Sequence, residues 1–164
     1  RWLEARWGQQ RLFGPDEEPG AGDEGAANIE QLDQLRERFE ASAWADRTPI
    51  DVEVPFEMML GGDPGRGAAD GDRTLVRGRM DAVFADADGG YEIVDWKTGP
   101  QPPPSEQAAA AVQLAAYRLA WSRLHGVPLE NVRAAFHYVR TGETIRPVDL
   151  LDADGLADLV RTVS

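Results

Sequence analysis

Residues 74–97 read TLVRGRMDAVFADADGGYEIVDWK, and this stretch decides the fold that we expect. Two runs rich in apolar and β-branched residues, 74–85 and 90–97, flank the segment DADGG at 86–90. Aspartate and glycine between two such runs are typical of a β-hairpin. The stretch therefore predicts two antiparallel strands joined by a short turn.

The hairpin brings two aspartates together. A symmetric pivot about the turn places Asp81 opposite Asp95, and directly opposed side chains have Cβ atoms roughly 4.5–5.5 Å apart. Because strand side chains alternate, Asp95 and Lys97 point to one face of the sheet, whereas Val94 and Trp96 point to the other. The sequence therefore predicts a pair of carboxylates with an amine beside them.

Two opposed carboxylates repel each other, so the sheet needs compensation at this place. One solution is a shared proton with a raised pKa. Another is a divalent cation, and hard carboxylate oxygens without any thiolate favour Mg²⁺ or Mn²⁺. The alternative is a solvated hairpin in which Asp81 and Asp95 face water separately.

Lys97 is the only lysine among the 17 basic residues, and all the others are arginine. Lysine offers a compact donor whose pKa can be shifted, whereas arginine offers a planar fork with a permanent charge. A lysine beside two metal-binding carboxylates suits phosphodiester hydrolysis by a metal-activated water, because it offsets charge that develops on the phosphate. The alternative is chance survival of one lysine in an arginine-rich composition.

The whole chain predicts an α/β fold with a mixed central β-sheet flanked by helices. Periodicity and turn signals give helix 1–8, helix 29–44, strand 50–60, the two hairpin strands, helix 105–124, strand 132–140, strand 143–149 and a helix from 152. The acidic segments 14–27 and 61–72 predict flexible loops. We expect residues 1–164 to form one domain, cut from a longer protein because an amphipathic helix without an initiator methionine opens the chain.

Composition excludes several classes of protein. The chain has no cysteine, which excludes disulfides, thiolate zinc sites and iron–sulfur clusters. It has no apolar run of the roughly 18 residues that a membrane span needs and no signal peptide, so we expect a cytoplasmic protein without membrane contact. The net charge of −12 argues against a freestanding domain that holds nucleic acid by bulk electrostatics.

The long predicted helix carries a polar pair. Gln113 and Tyr117 lie four residues apart and so share one face of this helix. One interpretation places the amide and the phenol beside the aspartates, in reach of DNA phosphates or an attacking water. The other is a polar pair on a partly exposed helix. Gly78, three residues before Asp81, indicates close approach of another group or a bulge.

Three motifs in order resemble a known family. The segments GRMD at 78–81, IVDWKTG at 93–99 and Gln113-x-x-x-Tyr117 are similar to the RecB-like branch of the PD-(D/E)XK nuclease superfamily. This branch is found at the C-terminal end of bacterial UvrD/Rep-type DNA helicases. The resemblance covers about 50–140 well and the N-terminal helices loosely, and it implies a restriction-endonuclease-like core.

The resemblance implies roles for the matching positions. Asp81 and Asp95 correspond to the metal-binding carboxylates, and the backbone carbonyl of Trp96 to a further ligand. Lys97 corresponds to the catalytic lysine. The implied cofactor is Mg²⁺ or Mn²⁺, with no iron–sulfur cluster, and ATP enters only through helicase domains that this sequence lacks.

The remaining positions match the family's motifs to different degrees. Gln113 and Tyr117 match the family's QxxxY motif, which orients DNA or the site. Glu53 matches a family acidic residue loosely, and the alternative is a solvent-facing strand glutamate. The branch usually carries a histidine four residues before a glutamate on its first helix. If Glu4 is that glutamate, the histidine falls just before Arg1 and outside this sequence.

The resemblance implies a metal-dependent deoxyribonuclease domain of an ATP-dependent helicase–nuclease that acts in DNA recombination or repair. Its partners are then DNA, helicase domains of the same chain and a second helicase–nuclease subunit. Exonuclease and endonuclease action are both open. The alternative is a catalytically inactive nuclease-fold module for DNA guidance or interdomain contact, motivated by the −12 charge and the incomplete first motif. A small-molecule metallohydrolase is disfavoured because no histidine joins the carboxylates.

Overall fold

The computed structural model describes residues 24–62 and 73–163, which form three helices and five strands. The elements are α1 (Glu24–Glu40), β1 (Asp51–Leu60), β2 (Thr74–Ala85), β3 (Tyr91–Lys97), α2 (Pro104–His125), a 3-10 turn (Leu129–Asn131), β4 (Val132–Tyr138), β5 (Glu143–Ile145) and α3 (Ala153–Val163). The predicted helix 1–8, and the parts of the predicted loops at 14–23 and 63–72, lie outside the described residues.

The strands form one mixed sheet in the order β1-β2-β3-β4-β5. Strands β3 and β4 are parallel, and the other neighbouring pairs are antiparallel. Parallel neighbours need a crossover connection, which α2 provides. The predicted class, a mixed central sheet flanked by helices, is confirmed. None of the described helices carries an apolar stretch that could span a membrane.

The hairpin of β2 and β3 has the predicted register. Ala82 pairs with Val94, and the backbone N–H of Asp86 donates to the carbonyl of Gly90 at 2.8 Å, closing the turn. Gly89 adopts a φ of 88°, which glycine reaches without steric cost. The next pair in this register beyond Ala82 and Val94 is the predicted pair of aspartates.

Hydrophobic clusters cover both faces of the sheet. On one face, side chains of α1 and the turn after it pack against the hairpin: Leu35, Phe39, Trp44, Ala82, Phe84, Val94 and Trp96. On the other face, α2 and α3 pack against all the longer strands, and Ile93, Leu114 and Phe136 are among the buried members. Val94 and Trp96 therefore face α1, whereas Ile93 faces α2, as strand alternation predicts.

Several element ends differ from the sequence prediction. Helix α1 spans Glu24–Glu40 rather than 29–44. Residues 24–27, predicted as loop, are helical, and the chain turns after Glu40, so that Trp44 reaches the core from outside the helix. Helix α2 begins at Pro104, one residue before the predicted start. Proline is favoured in the first turn because its missing N–H would have no partner there. Gly126 ends α2 in the left-handed conformation, which glycine adopts without steric cost.

Strand β1 changes its buried face at Glu53. Val52 packs against the α1 cluster, whereas Val54 packs against the α2 cluster. Glu53 between them has a φ of 51°, a conformation that L residues other than glycine rarely adopt. Strand β2 makes the same change at the opposite position, Asp81. On β2, Met80 belongs to the α2 cluster and Ala82, two residues later, to the α1 cluster.

An ion pair between a buried carboxylate and a half-exposed guanidinium ties β3 to the segment after β5. Glu92 is 2% exposed, and its carboxylate accepts two hydrogen bonds from the Arg146 guanidinium, at 2.8 and 3.1 Å. Arg47 approaches the same carboxylate only to 4.0 Å. Charged pairs with two parallel hydrogen bonds are geometrically specific, so this pair holds the end of the sheet in register.

Replacing Arg146 with methionine should leave the Glu92 carboxylate buried without its two donors. We expect the free energy of unfolding to fall by about 1–3 kcal/mol, measured by urea denaturation at pH 7 with tryptophan fluorescence. The double variant Glu92→Met/Arg146→Met should recover most of this loss, because no buried charge remains. Arg36→Met, which breaks an exposed pair with Glu40, is the control and should change stability by under about 0.5 kcal/mol. A loss no larger than that of the control would contradict the prediction.

Candidate active site

A cleft of about 840 Å³ opens where β2 and β3 part. The ladder between these strands ends at Ala82 and Val94, and α2 borders the space beyond. Three parts of the fold line the cleft. Phe56 and residues 76–79 line it from the β1–β2 pair, and residues 95–99 line it from the end of β3. On α2 the lining residues are Ala109, Val112, Gln113, Ala116 and Tyr117. The predicted site residues from β2, β3 and α2 therefore line one cleft.

Asp81 stands at the point where the strands part. Its Oδ2 accepts the backbone N–H of Trp96 at 2.9 Å. The carboxylate thus takes the place that a strand carbonyl would hold in a continued ladder. This bond fixes the Asp81 side chain, and its carboxyl lies close enough to Asp95 to raise the pKa of that acid.

Asp95 is the buried acid of the cleft, at 5% exposure. Burial, as the largest cause, and then the neighbouring Asp81 carboxyl raise the pKa of Asp95 from its ordinary 3.8 to about 7. Lys97 opposes this shift because its charge favours the carboxylate. The pair is thus poised to hold one proton or one cation near neutral pH.

Lys97 lies at the border of the cleft with its ammonium group partly exposed. Its Nζ is 2.8 Å from Oδ2 of Asp95 and donates a hydrogen bond to Oε1 of Gln113 at 3.2 Å. The same ammonium lies 5.4 Å from the centre of the Phe136 ring. At this distance the ammonium forms an ion pair with the Asp95 carboxylate. Lys97 and Asp95 share a face, as predicted.

Gln113 and Tyr117 continue this chain of contacts along α2. Nε2 of Gln113 donates to the Tyr117 hydroxyl at 2.7 Å. Tyr117 is 6% exposed and meets the Phe56 ring edge to face, with 5.7 Å between ring centres. The structure therefore brings both residues to the cleft. Phe56 is a cleft residue that the sequence analysis missed, because strand alternation marks it only as a core position.

The other predicted site residues have different surroundings. Glu53 lines the cleft on β1, opposite Asp81 in the strand register. Trp96 borders the cleft, but its side chain packs on the opposite face of the sheet against Phe39. Glu4 lies outside the described residues.

The donor set fits part of a divalent-ion site. Asp81 and Asp95 present hard carboxylate oxygens at the cleft, and Asp95 is only 5% exposed, which suits a cation ligand. Within 24–62 and 73–163, however, no three His, Cys, Asp or Glu side chains gather as a metal-binding group. His137 is buried on the other face against Trp96, and His125 stacks on a ring near the end of α2.

An α/β sheet with two acids and a lysine at its opened hairpin defines a nuclease-like class of fold and site. The model of the PD-(D/E)XK nuclease superfamily matches residues 1–163, and the chain belongs to this superfamily. The crystal structure of SSO0001 has a similar fold, with a TM-score of 0.51 and 14% sequence identity over 97% of this chain. The chain spans 66% of the length of that protein. No curated protein matches the chain significantly.

The raised pKa of Asp95 predicts a pH-dependent stability for the metal-free protein. The folded state keeps the proton up to about pH 7, whereas the unfolded chain loses it near the ordinary value of 3.8. The folded state then binds more protons between these values, so stability falls as the pH rises through this window. Asp95→Asn removes the ionisable group. We therefore expect the variant to exceed the wild type at pH 8 by up to about 4 kcal/mol, with little difference near pH 4.

Urea denaturation in EDTA at both pH values measures this difference. Asp154→Asn is the matched control, because Asp154 is an exposed acid on α3. A stability difference between wild type and Asp95→Asn that is the same at both pH values would rule out a proton held by Asp95.

Proposed function

We propose that the protein is a metal-dependent DNA nuclease that hydrolyses phosphodiester bonds. The observation that carries this proposal is the convergence of Asp81, Asp95 and Lys97 in one cleft of a PD-(D/E)XK fold. Two acids and a lysine are the groups that a metal-assisted attack on a phosphate needs. Membership of the superfamily supports nuclease activity, and the geometry supports the assignment of residues.

The two carboxylates and the carbonyl of Trp96 would hold Mg²⁺ or Mn²⁺. When bound, the ion supplies Lewis acidity at the phosphate and activates the attacking water. Asp81 is held for this role by the N–H of Trp96. Asp95 gives up its proton on loading, because a cation in contact with a carboxylate favours the charged form. Glu53 lies close enough to the cleft to act as a further acidic group, and Glu4 is the proposed N-terminal acid of the first motif.

Lys97 is the proposed catalytic lysine. Its side chain is 37% exposed, so the ammonium can reach a phosphate oxygen from its place beside Asp95. A compact ammonium can approach a single oxygen, whereas an arginine fork would span two. Lys97 would thus offset the negative charge that develops on the scissile phosphate.

DNA would enter between the β1–β2 pair and α2. Arg77 and Arg79 alternate with Gly78 on β2 and are exposed at the rim of the cleft, where Arg77 pairs with Glu57 at 3.0 Å. Guanidinium groups at the rim of a cleft attract the phosphate backbone without reading its sequence. Gln113 and Tyr117 would orient the lysine and the entering strand.

We further propose that residues 1–164 are one domain of a cytoplasmic helicase–nuclease that acts in DNA recombination or repair. The support is the similarity of three motifs to the RecB-like branch, which accompanies UvrD/Rep-type helicases. The net charge of −12 also fits a domain whose grip on DNA comes largely from other domains. ATP would then be used by the helicase domains, with a second helicase–nuclease subunit as a further partner.

A second candidate is a nuclease-fold module without catalysis, which guides DNA or contacts another domain. The observation that favours it is that no three His, Cys, Asp or Glu side chains gather as a metal-binding group among the described residues. Two carboxylates and one lysine can also be retained as a structural group without catalysis.

Cleavage assays with end-labelled single- and double-stranded DNA separate these candidates. We expect cleavage that requires Mg²⁺ or Mn²⁺ and disappears in Asp95→Ala, because the variant loses a metal ligand. Lys97→Ala should lower kcat about 100-fold or more, with KM changed far less. Asp154→Ala, at an exposed position on α3, is the control.

Calorimetry with Mn²⁺ adds a readout that does not depend on catalysis. A nuclease should give a binding signal that Asp81→Ala removes and Lys97→Ala keeps. If the wild type shows no cleavage and no Asp81-dependent metal binding, the nuclease proposal is refuted and the non-catalytic module is favoured.

A further inference from the structure

We infer that Gly78 and Phe56 are positioning residues for Lys97 and act on it through Tyr117 and Gln113. Neither residue touches the lysine. Each contact in the series fixes the next one, so that a glycine on β2 determines where the ammonium lies. The inference rests on the proposed function only in calling Lys97 catalytic, since the contacts exist in the metal-free protein.

The first contact joins two neighbouring strands. Phe56 on β1 pairs with Gly78 on β2, and its ring lies across the glycine. A Cβ placed on Gly78 would come within 2.7 Å of Cζ and 2.8 Å of Cε1 of Phe56. Both distances are shorter than any relaxed carbon contact, so even alanine would displace the ring. Gly78 has no positive φ, and glycine is therefore required here for space rather than for backbone conformation.

The second contact carries the ring position to α2. Phe56 and Tyr117 meet edge to face, with 81° between ring planes. The two rings are 5% and 6% exposed, so neither can move without opening the core. A Cβ on Gly78 would also lie 3.5 Å from Cε1 of Tyr117. The glycine thus lets both rings approach β2 closely, and the Phe56 ring sets the position of the tyrosine ring.

The third contact orients an amide. The Tyr117 hydroxyl accepts a hydrogen bond from Nε2 of Gln113 at 2.7 Å, which turns Oε1 toward Nζ of Lys97 at 3.2 Å. An ammonium can only donate, so a flipped amide would set two donors against each other. With the hydroxyl in place, Gln113 presents its oxygen to the lysine.

The fourth contact leaves the lysine held from two sides. Nζ of Lys97 lies between Oε1 of Gln113 and Oδ2 of Asp95. A lysine side chain has four rotatable bonds, and one electrostatic contact alone would leave it mobile. The amide adds the second anchor. Loss of any contact in the series should therefore appear as greater motion of Lys97.

Because Lys97 is the only lysine of the chain, lysine-selective ¹³C labelling reports it without overlap. We would measure the order parameter of its Cε group in the metal-free protein, and kcat and KM for DNA cleavage with Mn²⁺. The variants are Phe56→Leu and Gly78→Ala. We expect a lower order parameter in both, with kcat reduced on the order of 10- to 100-fold and KM within about twofold. Met59→Leu, on a half-exposed β1 residue outside the cleft lining, is the matched control.

Two further variants keep the test decisive. If Gly78 acts through the ring, adding Gly78→Ala to Phe56→Leu should cause little further loss. Tyr117→Phe keeps the ring contact and removes only the hydroxyl, so it should also mobilise Lys97, even if Phe56→Leu fails to fold. An order parameter equal to that of the wild type in the folded variants overturns the inference. If the wild type does not cleave DNA, the proposed nuclease function fails, and the order parameter still decides on the positioning role.

Discussion

The site depends on one hydrogen bond, from the backbone N–H of Trp96 to Oδ2 of Asp81. The β2–β3 ladder stops at Ala82 and Val94, one pair before the two aspartates. The side-chain bond replaces the next backbone bond of the ladder. A buried N–H must find an acceptor, so the strands can part here only because an acid supplies one. The same bond keeps Asp81 against Asp95, which turns the end of a hairpin into a cleft with two acids.

Charge balance explains why the cleft holds a lysine. Burial and a neighbouring acid make the Asp95 carboxylate unfavourable and raise its pKa to about 7. One ammonium at 2.8 Å partly offsets this cost without occupying the whole site. An arginine in its place would bind the two acids with its fork and fill the space between them. All the other residues among the 17 lysines and arginines are arginine. The charge balance gives a physical reason for the lysine at position 97.

The sequence predicts which residues line the cleft better than it predicts the packing that holds them in place. Strand period and turn chemistry suffice to pair Asp81 with Asp95, because both signals are local. The shared face of Gln113 and Tyr117 follows from helix geometry alone. Phe56 could not be recognised, since its role depends on a glycine across the ladder and a ring on α2. The change of buried face at Glu53 was also missed, because period-2 patterning assumes that a strand keeps one face throughout.

That change of face divides β1 into two parts supported by different helices. Val52, before Glu53, shares its core with α1, and the buried side chains after Glu53 share theirs with α2 and α3. Cooperative units of a protein follow such packing boundaries and open separately. The acids lie on the seam between two units. The cleft is therefore exposed to local opening of either unit, so its geometry can be lost while most of the amide protons on the remaining sheet stay protected from exchange.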